Sequence, residues 1–87
     1  MYEVYILQSE KNGRYYIGST NDIERRLTEH NSGKTKSLQY LRPLKIVFQK
    51  AYSSQQLAVQ MEQKLKKLKS RKIIEKIIQD QDIKMGL

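Results

Sequence analysis

One carboxylate in the sequence stands at the shoulder of an apolar helical face and among basic residues. At about 100° per residue, Glu62 lies about 90° from the centre of the apolar stripe of its segment. It is the only acidic residue between Glu29 and Glu75. A carboxylate placed in this way could face a pocket and hold a divalent cation, or it could form an ordinary helical ion pair with Lys66.

Tyrosines form the second unusual group, since the chain has six tyrosines against one phenylalanine and no tryptophan. Tyr5 and Tyr16 fall on two strand-like segments, 2–7 and 15–18, that are rich in aromatic and branched residues. Asn12-Gly13 between them is a strong hairpin signal, so the two tyrosines could be neighbours. The common alternative for strand tyrosines is half-buried packing with the hydroxyl in water.

A short helix is predicted after the hairpin. Asn21, with Glu24 three residues later, has the spacing of a capping-box variant, and residues 31–33 (Asn-Ser-Gly) supply a helix stop. Arg26 and His30 are four residues apart, so their side chains should lie on one flank of this helix.

The second half of the chain supplies a strand and two more helices. Residues 34–42 suggest a short helix or an ordered loop, and 44–52 suggest a third strand. A long helix follows, with five apolar residues at helical spacing: Leu57, Ala58, Met61, Leu65 and Leu68. A last amphipathic segment carries four isoleucines, Ile73, Ile74, Ile77 and Ile78, and residues 80–87 resemble a frayed tail.

The predicted order is therefore β-β-α-(α)-β-α-α. It describes a small α/β or α+β domain, with a three-stranded antiparallel sheet flanked by helices, over residues 1–79. The chain has 87 residues, a length that fits one domain.

Composition excludes several kinds of site. The absence of cysteine rules out disulfides, cysteine-ligated zinc and a thiol nucleophile, and His30 as the single histidine rules out a multi-histidine metal site. No apolar run reaches the roughly 18–20 residues of a membrane span, and the N-terminus has no signal-peptide pattern. These features lead us to expect a cytoplasmic protein that does not bind membranes.

Positive charge narrows the class of partner. The net charge is +8 and the sequence pI is about 9.8, which suggests an anionic partner such as nucleic acid, although the charge could serve solubility alone. Residues 62–76 contribute +5 of this total. A stripe of basic residues there could follow a phosphate backbone or could be a solvated helix face: Lys64, Lys66, Lys67, Lys69, Arg71, Lys72 and Lys76.

Val4-Tyr5 followed about ten residues later by Tyr16-Ile17-Gly18 resembles the paired motif of the GIY-YIG nucleases. The resemblance covers roughly residues 2–70 and continues through Ser19, Asp22, Arg26, His30 and Asn31 to a segment around Glu62 that is similar to the family's metal-binding helix. It is closest to small stand-alone bacterial members, which are similar to the N-terminal nuclease domain of the excinuclease that acts in nucleotide-excision repair. Glu3-Val4-Tyr5 departs from the name-giving Gly-Ile-Tyr, and a late asparagine of some members has no clear counterpart.

The resemblance implies a metal-dependent endonuclease that hydrolyses phosphodiester bonds. Glu62 would hold one Mg²⁺ or Mn²⁺, and the planar fork of Arg26 would bind the non-bridging phosphate oxygens. Tyr5 is the favoured general base, and Tyr16 would position the water or the phosphate. Because an unperturbed tyrosine has a pKa of about 10, a tyrosine base needs a cation or a proton relay, which Arg26 and His30 could supply.

The expected partner is nucleic acid, DNA in preference to RNA, in single-stranded or branched form and with DNA repair as one setting. The basic run after Glu62 would lie beside the phosphate, and the protein would be a monomer or a weak homodimer. Two alternatives remain at this stage. One is a nucleic-acid-binding module without activity, and the other is a protein-interaction domain that docks through the isoleucine set.

Overall fold

The computed structural model describes residues 1–32, 43–68 and 70–83. Within these residues the elements follow in the order β1 (Tyr2–Ser9), β2 (Tyr15–Thr20), α1 (Ile23–Asn31), β3 (Leu44–Tyr52), α2 (Gln55–Leu68) and α3 (Arg71–Asp80). The strands form one antiparallel sheet in the order β2-β1-β3. This confirms the predicted fold class, while the short helix or loop expected at 34–42 lies outside the described residues.

The β1–β2 hairpin turns at the predicted Asn-Gly pair. Gly13 has a φ of 76°, a conformation that glycine adopts without a Cβ penalty. The Ser9 hydroxyl accepts hydrogen bonds from the backbone N–H groups of Lys11 and Asn12, at 3.1 and 3.3 Å. The register that this turn sets places Tyr5 of β1 directly opposite Gly18 of β2.

Alternation along β1 divides the interior into two clusters on opposite faces of the sheet. Val4 and Ile6 pack with α2 and α3 in a cluster that contains Phe48, Ala58, Met61, Leu65, Ile74, Ile77 and Ile83. Tyr5 and Leu7 point the other way and form a smaller cluster with Leu44, Ile23 and Leu27. Helices α2 and α3 therefore cover one face, α1 covers the other, and β2 is left as an edge strand.

The start and the end of α1 differ in detail from the sequence prediction. Its N-cap is Asp22, whose carboxylate accepts the backbone N–H of Arg25 at 3.1 Å, and not Asn21. Asn31, expected to act as a C-cap, is the last helical residue. Its side-chain amide instead exchanges two hydrogen bonds with the backbone of Leu44, at 2.7 and 3.1 Å. Asn31 thus ties the end of α1 to the start of β3.

Serine side chains cap the starts of α2 and α3. Ser54 and Ser70 accept hydrogen bonds from the backbone N–H three residues later, as helix caps do.

The apolar residues of α2 and α3 are buried only in part. Leu68, predicted to belong to the buried stripe of α2, is 38% exposed because it lies on the shoulder of the stripe away from Glu62, in the last turn. Ile73 is exposed to a similar degree, at about 90° from the centre of the buried face of α3.

Most of the four isoleucines proposed as a docking face are taken up by packing inside the domain. Ile74 and Ile77 are part of the interior, and Ile78 packs against it. Of this set only Ile73 is exposed, which leaves too little apolar surface for a docking face.

The chain stays packed beyond the predicted domain end at residue 79. Ile83 is 5% exposed and belongs to the larger cluster, the Gln81 amide donates to the Val47 carbonyl at 3.1 Å, and Lys50 pairs with Asp82 at 2.7 Å. The prediction of a frayed tail from residue 80 therefore does not hold for residues 80–83. Once α3 has ended, the apolar side chain of Ile83 can reach the sheet and pack there. None of the helices in the described ranges is long and apolar enough to cross a membrane.

Candidate active site

A pocket of about 340 Å³ wraps the free edge of β2 and brings together all five residues predicted to be catalytic. These are Tyr5, Tyr16, Arg26, His30 and Glu62. Tyr5 comes from the central strand, Arg26 and His30 from α1 on one face of the sheet, and Glu62 from α2 on the other. The two groups meet because β2 is an edge strand, around which side chains from both faces can approach one another.

Tyr5 and His30 are both buried, and they face each other at the base of the pocket. The Tyr5 hydroxyl lies 3.4 Å from Nε2 of His30, and the ring planes are inclined by 52°. This distance is long for a strong hydrogen bond, which would be close to 2.8 Å. The two groups nevertheless face each other, and a small movement of either ring would shorten this distance to that of a hydrogen bond through which a proton could pass.

The charge state of His30 follows from its surroundings. Burial lowers the pKa of the His30 imidazole, and the neighbouring Arg26 guanidinium lowers it further, while Glu29 acts in the opposite direction. The net effect is a pKa below the usual value, so the ring is neutral at pH 7. A neutral imidazole can accept a proton from the tyrosine hydroxyl at physiological pH.

Gly18 permits this arrangement of Tyr5. A Cβ at residue 18 would stand 2.5 Å from Cζ of the Tyr5 ring, closer than any real Cβ contact. The Tyr5 ring thus rests directly on the backbone of β2, which holds its hydroxyl at a fixed height in the pocket. The third residue of the Tyr-Ile-Gly motif is explained by this close approach.

Glu62 is held from two sides at the opposite wall. One carboxylate oxygen accepts the Ser19 hydroxyl at 2.6 Å, and the other contacts the Lys66 ammonium, also at 2.6 Å. The side chain is 17% exposed. The helical ion pair with Lys66, one of the two interpretations offered by the sequence, is thus present, and the same carboxylate also faces the pocket.

The donor set fits a hard divalent cation that keeps most of its water. The described residues contain no group of three or more His, Asp or Glu side chains that could enclose a metal ion. A single carboxylate at an open pocket is a typical way for proteins to hold Mg²⁺, which completes its shell with waters and substrate phosphate. The Lys66 ammonium lies on one of the two Glu62 oxygens and would have to move for that oxygen to bind a metal.

Arg26 and Tyr16 complete the pocket. The Arg26 side chain is partly exposed, and its guanidinium lies 3.8 Å from Glu29, a distance too long for a strong ion pair. A phosphate could therefore compete for it. Tyr16 is half-buried on β2 and packs against the smaller cluster.

The basic residues predicted to bind nucleic acid differ in their position relative to this pocket. Lys66 lines the pocket, whereas Lys64, two residues earlier, lies about 160° away around α2 and does not line it. Lys67 and Lys72 are exposed and lie outside the pocket as well. Arg71 lines an adjoining pocket together with Lys66. Lys69 lies outside the described residues.

Sequence reasoning did not assign a role to Ser19 or to the side chain of Asn31. Ser19 follows the Tyr-Ile-Gly motif directly, and the period of two along a strand predicts that it faces the same side as Ile17, toward α2. That alternation could have indicated a contact with Glu62. No local signal could have indicated that Asn31 reaches Leu44, 13 residues away, because the contact depends on how α1 meets β3.

Three features occur together in this structure: an edge strand that carries Tyr-Ile-Gly, a tyrosine opposite that glycine, and a glutamate on the long helix α2. This combination is characteristic of one class of protein. The family model for the GIY-YIG catalytic domain matches residues 1–76, and the chain belongs to this family of nuclease domains. It is 36% identical over 80 residues to the UPF0213 protein of Streptococcus pneumoniae serotype 4, covering 91% of this chain and 80% of that protein.

Two further relatives agree with this assignment. The UPF0213 protein of Bacillus licheniformis is 40% identical over 77 residues, which cover 87% of this chain and 77% of that protein. The solution NMR structure of the UPF0213 protein BH0048 from Bacillus halodurans matches with a TM-score of 0.57 and 35% identity. That match covers 91% of this chain and 84% of the NMR structure's chain.

Proposed function

We propose that this protein is a metal-dependent endonuclease that hydrolyses phosphodiester bonds in DNA at the pocket on the edge of β2. The observation that carries the proposal is the convergence of Tyr5, His30 and Arg26 from one face of the sheet with Glu62 from the other. Hydrolysis of a phosphodiester needs a base, a group that binds the phosphate and a group that stabilises the leaving oxygen. Family membership supports the same chemistry.

Tyr5 is the proposed general base. Its hydroxyl points toward a neutral imidazole, so the Tyr5 hydroxyl proton can move to His30 Nε2 while the Tyr5 oxygen takes a proton from the attacking water. Tyr16, on the same wall of the pocket, positions the water or the phosphate. Arg26 binds the non-bridging phosphate oxygens through its planar guanidinium, a geometry that lysine does not reproduce.

Glu62 is the proposed ligand of one Mg²⁺ or Mn²⁺, and Ser19 orients its carboxylate. When bound, the cation would neutralise charge on the phosphate and on the leaving oxygen. A phosphate bound in the pocket would compete with Glu62 for the Lys66 ammonium, since both are anions. The remaining basic residues near the site, Arg71 foremost, attract the polyanion without taking part in the reaction.

Cleavage by the purified protein tests the proposal. A panel of fluorescently labelled single-stranded, duplex and flapped DNA and single-stranded RNA is incubated with Mg²⁺ or Mn²⁺, and with EDTA as a blank. We expect cleavage of at least one DNA substrate that is lost in EDTA and falls by at least about 100-fold in Glu62→Gln. Glu24→Gln, an exposed glutamate at the start of α1, is the matched control and should keep wild-type activity.

The tyrosine role has its own test. Tyr5→Phe keeps the ring on Gly18 and removes only the hydroxyl, so metal and DNA binding should be unchanged while the cleavage rate falls by about 100-fold. Equal rates for Tyr5→Phe and wild type would exclude Tyr5 as the base. If the wild type binds DNA and cuts no substrate of the panel with either metal, the protein is a binding module and the nuclease proposal fails.

A further inference from the structure

The candidate active site is the middle of three pockets that follow β2 from end to end. A pocket of about 520 Å³ at the start of β2 shares Tyr16, Ile17 and Lys66 with the central one. A third pocket, of about 310 Å³ at the end of β2, shares Ser19 and Arg26 with it. The three therefore form one groove along a strand of six residues, a length of about 20 Å.

The two ends of the groove differ in chemistry. The first pocket combines an apolar side, made by Ile17, Leu65 and Ile74, with two arginines, Arg14 and Arg71. Apolar surface next to planar cations is what an unstacked nucleobase binds. When a base enters this pocket, the phosphates on either side of its nucleotide stay at the rim, within reach of the arginines.

The third pocket has almost no apolar side chain. Apart from Tyr2, it is lined by hydroxyl, amide and guanidinium groups, among them Thr20, Asn21, Gln55 and Arg25. Groups of these types bind phosphate and sugar oxygens, and Tyr2 supplies the one aromatic ring among the residues that line this pocket. The groove carries arginines at both ends, but its aliphatic side chains are concentrated in the first pocket.

Arg71 is held in place before any ligand arrives. Its guanidinium carbon lies 4.7 Å from the centre of the Tyr15 ring, and Nη2 donates to the Gly13 carbonyl at 3.3 Å. Nε also lies 3.8 Å from Glu75. A planar cation fixed on an aromatic ring loses little conformational entropy when a base stacks against it.

We propose that the first pocket is a nucleobase subsite, which binds the base of a nucleotide next to the scissile phosphate between its apolar side and Arg71. This rests on the proposed nuclease function, because the central pocket is taken to hold the phosphate. The third pocket then holds the backbone on the other side of that phosphate without contacting a base. A base in the subsite must leave the helical stack, so the groove fits single-stranded or locally opened DNA.

Binding of two short probes tests the subsite without any cleavage. The probes are a single-stranded thymidine tetranucleotide and the same sugar-phosphate backbone with abasic residues. Because all residues of a probe are identical, a shift of the probe along the groove does not change which base enters the pocket. Kd values are measured by fluorescence anisotropy on the Glu62→Gln variant, which keeps both probes intact. Base stacking contributes about 1–3 kcal/mol, so the tetranucleotide should bind at least about fivefold more tightly than the abasic probe.

Two charge-matched variants locate the effect. Arg71→Ala should weaken binding of the tetranucleotide and bring the ratio of the two Kd values close to one. Lys72→Ala removes the same charge one residue further along α3, outside the pocket, so it should weaken both probes equally and keep the ratio. In ¹⁵N spectra, amide shifts at Ile17 and Ile74 should appear only with the tetranucleotide, and those at Ser19 and Arg26 with both probes.

Equal affinity for the two probes would overturn the subsite. Loss of the ratio in Lys72→Ala as well as in Arg71→Ala, or base-dependent shifts at Asn21 and Gln55 instead of Ile17 and Ile74, would overturn it too. These results are independent of the cleavage panel. If the protein cuts DNA and binds both probes equally, only the subsite is contradicted. Base-dependent binding without cleavage contradicts the nuclease proposal and leaves a base-binding pocket that serves nucleic-acid binding alone.

Discussion

The Tyr5 ring lies directly on Gly18 of the neighbouring strand, with no room for a Cβ between them. This contact sets the position of the Tyr5 hydroxyl relative to His30, which approaches from α1 on the same face of the sheet. The glycine is therefore as important to the proposed chemistry as the tyrosine. Its role is to admit the ring, and it needs no unusual backbone conformation to do so.

Gly18→Ala is expected to displace the Tyr5 ring and to reduce both stability and activity. The added methyl group overpacks a buried contact, which costs about 1–3 kcal/mol in the free energy of unfolding, measured by urea denaturation. The cleavage rate should fall further than the loss of folded protein explains, because the hydroxyl leaves its place beside His30.

Gly13→Ala is the control for that substitution. Its Cβ would meet only ordinary contacts at 3.8 Å or more, but its φ of 76° is strained for alanine, at a cost of about 1 kcal/mol. Stability should drop with an unchanged rate per folded molecule. Equal effects of the two substitutions on the rate would mean that Gly18 does not position Tyr5.

Lys66→Met is expected to strengthen metal binding. The Lys66 ammonium contacts Glu62 at 2.6 Å and competes with a cation for the same carboxylate oxygen. An exposed ion pair contributes up to about 1 kcal/mol, so removal of the lysine should lower the Kd for Mn²⁺ by up to about fivefold, measured by isothermal titration calorimetry. Lys67→Met, which removes an exposed charge outside the pocket, is the control and should leave the Kd unchanged. Weaker Mn²⁺ binding by Lys66→Met would show that the lysine supports the metal site instead.

The pH dependence of stability should report on His30. Burial and Arg26 lower the pKa of its imidazole, so the unfolded chain binds a proton more readily than the folded one just below pH 6.5. Stability is therefore complete above that pH and falls as the pH decreases toward the folded pKa. The free energy of unfolding should be smaller at pH 5.5 than at pH 7.5.

His30→Gln should remove most of this difference between the two pH values. Because the chain has a single histidine, one imidazole signal in ¹H–¹³C spectra gives the pKa directly. A measured pKa at or above 6.5 would contradict the lowered pKa of His30.

Tyr52→Phe is expected to stabilise the protein. The Tyr52 hydroxyl is buried and has no hydrogen-bond partner among the described residues, and the same burial raises the pKa of Tyr52. Its removal should add about 1 kcal/mol to the free energy of unfolding, because an unpaired buried polar group no longer has to leave water. Tyr2→Phe, on the residue paired with Tyr52 across the sheet, is the control and should change stability little. A destabilised Tyr52→Phe would mean that the hydroxyl is paired in solution.

The sequence by itself determined the local elements of this protein. The Asn-Gly turn, the strand-like segment 44–52 and the apolar residues at helical spacing in 57–68 are short-range signals, and the structure has the predicted turn, strand and helix. The motif residues were also found from sequence, because their spacing is typical of a known family. Errors at this level were small, such as the helix cap at Asp22 in place of Asn21.

Only the tertiary structure decided how these residues meet. The position of β2 at one edge of the sheet lets side chains from opposite faces share one pocket, and no local pattern shows which strands are the edges. The same packing separates Lys66 and Arg71, which line the groove, from Lys64 and Lys72, which do not. The physical reason is that caps and turns depend on neighbours a few residues away. The site depends instead on two interior clusters that place helices on both faces of one sheet.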